Sequence, residues 1–169
     1  MGMDEVKVVC DALGGDDAPG VVLEGVALAV AQDPSITVIL TGPEDVIVPF
    51  AAEHANVIAH PTTEVIGMGE HPAEAVRRKK DSSIVVGCRL VKEGEAGGFF
   101  SAGSTGACMS AATLVIGRIK GVKRPAIATV LPSPVANVVF TDMGANADCK
   151  PEYLVQFARM ARVYAQLAL

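Results

Sequence analysis

The chain has 169 residues, half of them hydrophobic and 20% charged, with a net charge of −5. That length suits one domain with a sizeable core, and the acidic balance argues against a nucleic-acid partner. With 4% aromatics and no Trp, the core must be aliphatic.

Residues 5–11 predict a strand, because Val6, Val8 and Val9 are β-branched in a short run. It ends in Asp11-Ala12-Leu13-Gly14-Gly15-Asp16-Asp17, a loop of glycines and carboxylates, with Pro19 near the next helix start. Residues 20–32 predict a helix that is apolar on most faces and therefore expected to be largely buried. Residues 36–41 form a nearly continuous apolar run, as in a parallel strand covered on both sides. A helix over 44–54, a short strand over 56–59 and an extended segment over 63–66 follow.

Residues 72–80 predict a helix ending in Arg77-Arg78-Lys79-Lys80, and Asp81-Ser82-Ser83 are expected to cap a helix over 84–93. Phe99 and Phe100 then lead into Ser101-Ala102-Gly103-Ser104-Thr105-Gly106, and an alanine-rich helix follows over 107–116. This is the pattern of strand, tight loop and helix. Gly103 and Gly106 permit positive φ and close approach, and Ser104 or Thr105 can cap the helix. The basic connector 118–124 precedes strands over 127–131 and 135–141, whose link Pro132-Ser133-Pro134 predicts an antiparallel hairpin. Asp142-Met143-Gly144-Ala145-Asn146 is a further polar loop. Residues 151–168 are the cleanest helix, with an apolar stripe of Leu154, Phe157, Ala161, Tyr164 and Leu167. The chain ends on it without a closing strand.

Alternating strands and helices predict a single α/β domain with a mostly parallel sheet. Ligands of such sheets bind at the carboxyl ends of strands. Three polar loops occupy such positions, 11–17, 101–106 and 142–146, and are expected to converge on one edge. A helix start with unpaired N–H groups suits an anion such as phosphate, although the 101–106 loop also reads as a well-capped turn. The carboxylates of 11–17 read as a metal or hydroxyl contact, or as turn residues. The run 77–80 beside Ser82 and Ser83 reads as an anion or acidic-protein contact, or as a solvated face. No GxGxxG, GxSxG or HExxH is present. The four cysteines lack metal or redox spacing, and Cys10 and Cys108 read as small core residues. No metal site, signal peptide or membrane span is expected: Asp4 and Glu5 precede any apolar run, and Gly and Pro interrupt the long uncharged stretches.

Several stretches together carry a resemblance. They are 11–16, 72–83, 101–107, Arg124-Pro125-Ala126-Ile127-Ala128, 142–146 and Lys150-Pro151-Glu152-Tyr153-Leu154, in that order. The chain resembles the PlsX family of bacterial phosphate acyltransferases. The resemblance implies a three-layer α/β/α sandwich similar to the isocitrate and isopropylmalate dehydrogenases, without their nicotinamide cofactor or any other. It implies transfer of a fatty acyl group from acyl carrier protein to inorganic phosphate. The acyl phosphate then serves a membrane glycerol-3-phosphate acyltransferase. A cytoplasmic homodimer, peripheral at the membrane through segments absent from this chain, is also implied.

On these motifs Asp11, Lys80 and Asn146 are nominated as catalytic. Gly14, Gly15, Asp16, Lys79, Ser82, Ser83, Ser101, Gly103, Ser104, Thr105, Gly106, Asp142 and Gly144 are nominated as phosphate- or substrate-binding. The sequence departs from the family's pattern with Asp17 for His, Ser104 for Asn and Ala161 for Gly. It is also much shorter, as expected of the N-terminal portion of a longer chain or of a truncated relative. A non-catalytic anion-binding module and a coenzyme A-dependent phosphotransacylase are the alternative functions. The basic segments 77–80 and 118–124 are candidate contacts for an acidic carrier protein.

Overall fold

A computed structural model describes residues 6–146 and 148–169. The chain divides into two compact units, one ending at Gly117 and the other running from Arg118 to Leu169.

The first unit is built on four parallel strands: β1 (Val6–Asp11), β2 (Ile36–Gly42), β3 (Val57–Pro61) and β4 (Gly98–Phe100), in the order β3-β2-β1-β4. Glu5, the expected first residue of β1, lies outside the described residues. Alternation along the strands sends successive side chains to opposite faces. Cys10, Val38 and Leu40 pack with Val22 and Val26 of α1 (Gly20–Gln32) and Ile47 of α2 (Glu44–Ala52). Val9 and Ile39 face the other way, against Val86 and Leu90 of α4 (Ser83–Glu93). The unit is therefore a three-layer α/β/α arrangement with an aliphatic core on each side of the sheet. A third cluster joins α3 (Pro72–Arg78) and α4 to Ala107 and Ala111 of α5 (Thr105–Ala111). After α5 the helix widens into a π-helical turn, Ala112–Ile116, and stops at Gly117.

The strand order gives the site its place. The chain steps outward from β1 to β3, then returns to lay β4 on the other side of β1. The switch point lies between β1 and β4, and sheets of this kind bind ligands at the carboxyl ends of the strands there. Both β1 and β4 end there in polar loops that begin with Asp11 and Ser101.

The second unit has an antiparallel pair, β5 (Ala128–Leu131) and β6 (Val138–Thr141), and the long helix α6 (Pro151–Ala168). The hairpin is antiparallel as expected, but its second strand starts at Val138 rather than 135. Val135 is 95% exposed in the connection.

One expectation about burial is corrected. On α1 only Val22 and Val26 are buried, while Val21 and Leu28 are each 57% exposed. A helix lying on one side of a sheet buries one stripe, whatever the composition of its other faces. Among the described side chains of α6, Phe157 alone is buried, and Leu154, Tyr164 and Leu167 are exposed. Among the described residues no helix is long and apolar enough to cross a membrane.

Leu40 is fully buried between the sheet and α1/α2. Leu40→Ala should cost about 2–5 kcal/mol of stability through lost transfer energy and a residual cavity. Leu28→Ala, on the open face of α1, should change stability by no more than about 0.5 kcal/mol. Urea unfolding of the two variants checks the contrast.

Candidate functional site

Asp11 is the last residue of β1 and is 3% exposed. Both of its carboxylate oxygens accept hydrogen bonds from the chain. Leu13 N–H donates to Oδ1 at 3.0 Å, and the Ser101 hydroxyl donates to Oδ2 at 2.8 Å. Ser101 in turn accepts the Gly103 N–H at 3.0 Å. One carboxylate thus ties together two loops whose linking residues stand 90 positions apart. Buried polar oxygens need such hydrogen-bond partners.

The two loops meet backbone to backbone. A Cβ on Gly14 would lie 2.7 Å from Ser101 Oγ and 2.8 Å from the Ala102 nitrogen, so only glycine fits. Gly106 has the same role near the start of α5, where a Cβ would lie 2.8 Å from Cγ of Pro72 at the start of α3. Neither Gly103 nor Gly106 has a positive φ, contrary to the conformational role expected of them; close approach is what they supply. Gly15 does have a positive φ, of 122°.

Ser104 is the N-cap of α5, and its hydroxyl oxygen accepts the Ala107 N–H at 3.3 Å. Thr105 and Ala102 of this loop are exposed, as is Asp16 in the loop after β1. The 101–106 loop therefore offers small residues, a capped helix start and N–H groups of a first turn that no helical carbonyl can satisfy.

Cys108 follows on α5. Burial pushes its thiol pKa up, a hydrogen bond with Ser101 opposes this, and the Asp11 charge adds to the rise. Cys10 and Cys88 are core residues whose thiols burial pushes up to about 12. These thiols stay protonated at neutral pH, unlike a nucleophilic cysteine.

The shoulder before α4 is more enclosed than the sequence suggests. Ser82 and Ser83 are both buried. Ser82 is the N-cap, but its side chain makes no cap bond; its hydroxyl donates to the Lys79 carbonyl at 2.9 Å. The four consecutive cations are also not equivalent. Lys79 donates to Glu70 Oε1 at 2.6 Å and to the Val65 carbonyl, and Arg78 reaches Glu70 Oε2 at 3.2 Å. The Lys80 side chain is exposed and stands outside that ion-pair cluster. Hydrogen bonds from Lys79 and from Gly67 N–H, with the charges of both cations, hold the Glu70 carboxyl below its ordinary pKa.

In the second unit Asp142 has an organising role like that of Asp11. Its Oδ1 accepts the Ile127 N–H at 2.8 Å, and its Oδ2 accepts the Asn146 N–H at 2.8 Å and side-chain amide at 3.0 Å. Asn146 also donates to the Pro125 carbonyl at 3.1 Å, and Gly144 has a φ of 75°. The basic connector is tied to α6. Lys123 pairs with Glu152 at 2.8 Å, and the Arg124 guanidinium lies 5.8 Å from the centre of the Tyr153 ring.

A family model described as "Fatty acid synthesis protein" matches residues 6–169. The chain belongs to this family. Phosphate acyltransferase of Desulfitobacterium hafniense (strain Y51) is 51% identical over 167 residues, covering 97% of this chain and 50% of that protein. Phosphate acyltransferase of Clostridium botulinum (strain Alaska E43 / Type E3) is 46% identical over 163 residues, covering 94% of this chain and 49% of that protein. Phosphate acyltransferase of Clostridium perfringens (strain SM101 / Type A) is 45% identical over 163 residues, covering 94% and 48%. The chain spans about half the length of the curated relatives it matches.

In this member of the fatty acid synthesis protein family, the nominated residues other than Asp16, Thr105 and Gly106 fall into three groups. Asp11, Gly14, Gly15, Ser101, Gly103 and Ser104 come together at the β1/β4 edge. Lys79, Lys80, Ser82 and Ser83 form the shoulder before α4. Asp142, Gly144 and Asn146 share the second unit's loop. Sequence reasoning missed Thr41, Thr62 and Glu70. The buried Thr41 hydroxyl lies 3.2 Å from the Cys10 carbonyl oxygen and 3.3 Å from that of Ser83, linking β1, β2 and the start of α4. Thr62 follows β3, and its buried hydroxyl has no hydrogen-bond partner among the described residues. The signal that could have found both is position, since Thr41 lies one residue before the end of β2 and Thr62 directly follows β3.

Two outcomes follow from this geometry. Gly14→Ala should cost about 1–3 kcal/mol of stability by forcing the loops apart, read by urea unfolding. Glu70 is charged in the folded state with a lowered pKa, so its contribution is present above its ordinary value of 4.5 and lost as pH falls through the lowered one. Glu70→Gln should therefore melt lower than wild type at pH 7, and the gap should close on acidification below that window. Thermal unfolding at several pH values reads this.

Proposed function

We propose that this protein is a phosphate acyltransferase of the PlsX type in phospholipid synthesis. It takes the acyl group of an acyl carrier protein thioester and places it on inorganic phosphate. The observation that carries the reading is the pair of loops at the β1/β4 switch point, drawn together by Asp11 and floored by Gly14 and Gly103. The small residues and the helix start at α5 suit a tetrahedral anion, and Lys80, exposed on the turn before α4, is the cation this reading assigns to it. The names of the relatives support the same chemistry.

A phosphate oxygen attacks the thioester carbonyl carbon. The new C–O bond forms as the C–S bond breaks, the carrier's thiolate leaves and takes up the proton, and acyl phosphate is released. Binding contributes orientation and partial desolvation of the phosphate. Direct attack is favoured over a covalent enzyme intermediate. The Ser101 hydroxyl is committed to Asp11, and burial keeps the Cys108 thiol protonated. Asp11, with both oxygens accepting bonds from the chain, serves by holding the two loops. Acyl phosphate is an activated acyl donor, suited to acylation of glycerol 3-phosphate by a membrane partner.

The full chain, given an acyl carrier protein thioester and inorganic phosphate, should form acyl phosphate, trapped as a hydroxamate with hydroxylamine. Its rate should depend on phosphate. No hydroxamate with either donor overturns the reading. Product from acyl-coenzyme A but not from the carrier thioester replaces it with a phosphotransacylase.

A further inference from the structure

Asp81 lies between the exposed Lys80 and the buried Ser82, and its bonds run away from the helix it precedes. Its Oδ2 accepts the Thr63 N–H at 2.9 Å and the Thr63 hydroxyl at 2.6 Å. Its own N–H donates to Glu64 Oε2 at 2.9 Å, and its carbonyl accepts the Glu64 N–H at 3.3 Å. Glu64 also forms an isolated parallel bridge with Ser82. Arg89 of α4 donates to the Lys80 carbonyl at 2.6 Å. One residue earlier, Lys79 N–H closes onto Ala75 at 2.8 Å, and the Lys79 ammonium is taken up by Glu70.

An ordinary helix cap would turn its carboxylate toward the first N–H groups of α4. Asp81 instead fastens the turn to a segment 18 positions earlier in the chain. The result is a lysine whose main chain is pinned on both sides while its ammonium stays outside the neighbouring ion-pair cluster. Lysine is a long, flexible cation with four rotatable bonds, and its grip on an anion depends on how well its base is held.

We propose that Asp81, clasped by Thr63 and Glu64, is a positioning residue that aims Lys80 at the phosphate. The inference rests on the reading of Lys80 as the phosphate-holding cation given above. It adds that Lys80 works only from a turn fixed by this clasp, and that Lys79 belongs to the clasp side.

The test is a double-mutant cycle on the full chain, with inorganic phosphate as ligand and calorimetric affinity as readout. Lys80→Ala should weaken phosphate binding by about tenfold or more, the usual scale for a lost charge-assisted contact. Asp81→Ala should weaken it comparably in the wild-type background and add almost nothing once Lys80 is gone. Asp81→Asn, which keeps an acceptor for Thr63, should restore most of the affinity. An equal further loss in the Lys80→Ala background overturns the proposal, because a merely structural role would act through the whole site. Unchanged affinity in Lys80→Ala overturns it too. If Asp81→Ala does not fold, Thr63→Val removes the hydroxyl bond alone and runs the same cycle. The readout needs no turnover, so absence of acyl-phosphate formation would count against the functional reading and leave this cycle to be judged by itself.

Discussion

The first unit depends on a single buried carboxylate. Asp11 is enclosed at the end of β1, and polar oxygens in that setting need hydrogen-bond donors. Its two oxygens take those donors from different loops, Leu13 from its own and Ser101 from the one after β4. The choice of partners couples two ends of a parallel sheet that the backbone ladder alone would leave independent above their last paired residues. The glycines follow from this coupling. Once Asp11 draws Ser101 in, Gly14 has no room for a Cβ.

The cations obey a comparable logic. Like charges on adjacent turns repel, and the fold relieves this by giving Lys79 and Arg78 to Glu70. That leaves Lys80 exposed on a turn whose main chain is braced by Asp81, Glu64 and Arg89. A charge run that looks uniform in sequence is thus divided into an ion-paired portion and an exposed remainder. Asp142 repeats the carboxylate device in the second unit, where it gathers Ile127 and Asn146.

Much of the scaffold was legible because it rests on local rules. The apolar runs of β1 and β2, the helix over 83–93 and the hairpin over 128–141 follow from period, propensity and turn chemistry. The Ser104 cap was legible for the same reason, since its partner lies three residues on. The Asp11–Ser101 bond was not, because nothing in a one-dimensional pattern announces a contact across 90 positions. Nor was the split between Lys79 and Lys80, which depends on where Glu70 falls. Burial was overestimated for α1. An apolar composition shows that a face can be covered, while the packing decides whether it is.

The coupling between the two loops is open to hydrogen exchange. In Ser101→Ala the Gly103 amide loses its acceptor, and faster exchange there is a local effect. The Leu13 amide is the informative one, since its acceptor is the Asp11 carboxylate to which Ser101 also donates. If Asp11 joins the loops, exchange at Leu13 rises together with that at Gly103. If Gly103 accelerates while Leu13 keeps its wild-type protection, the loops are independent and the Asp11 account is contradicted.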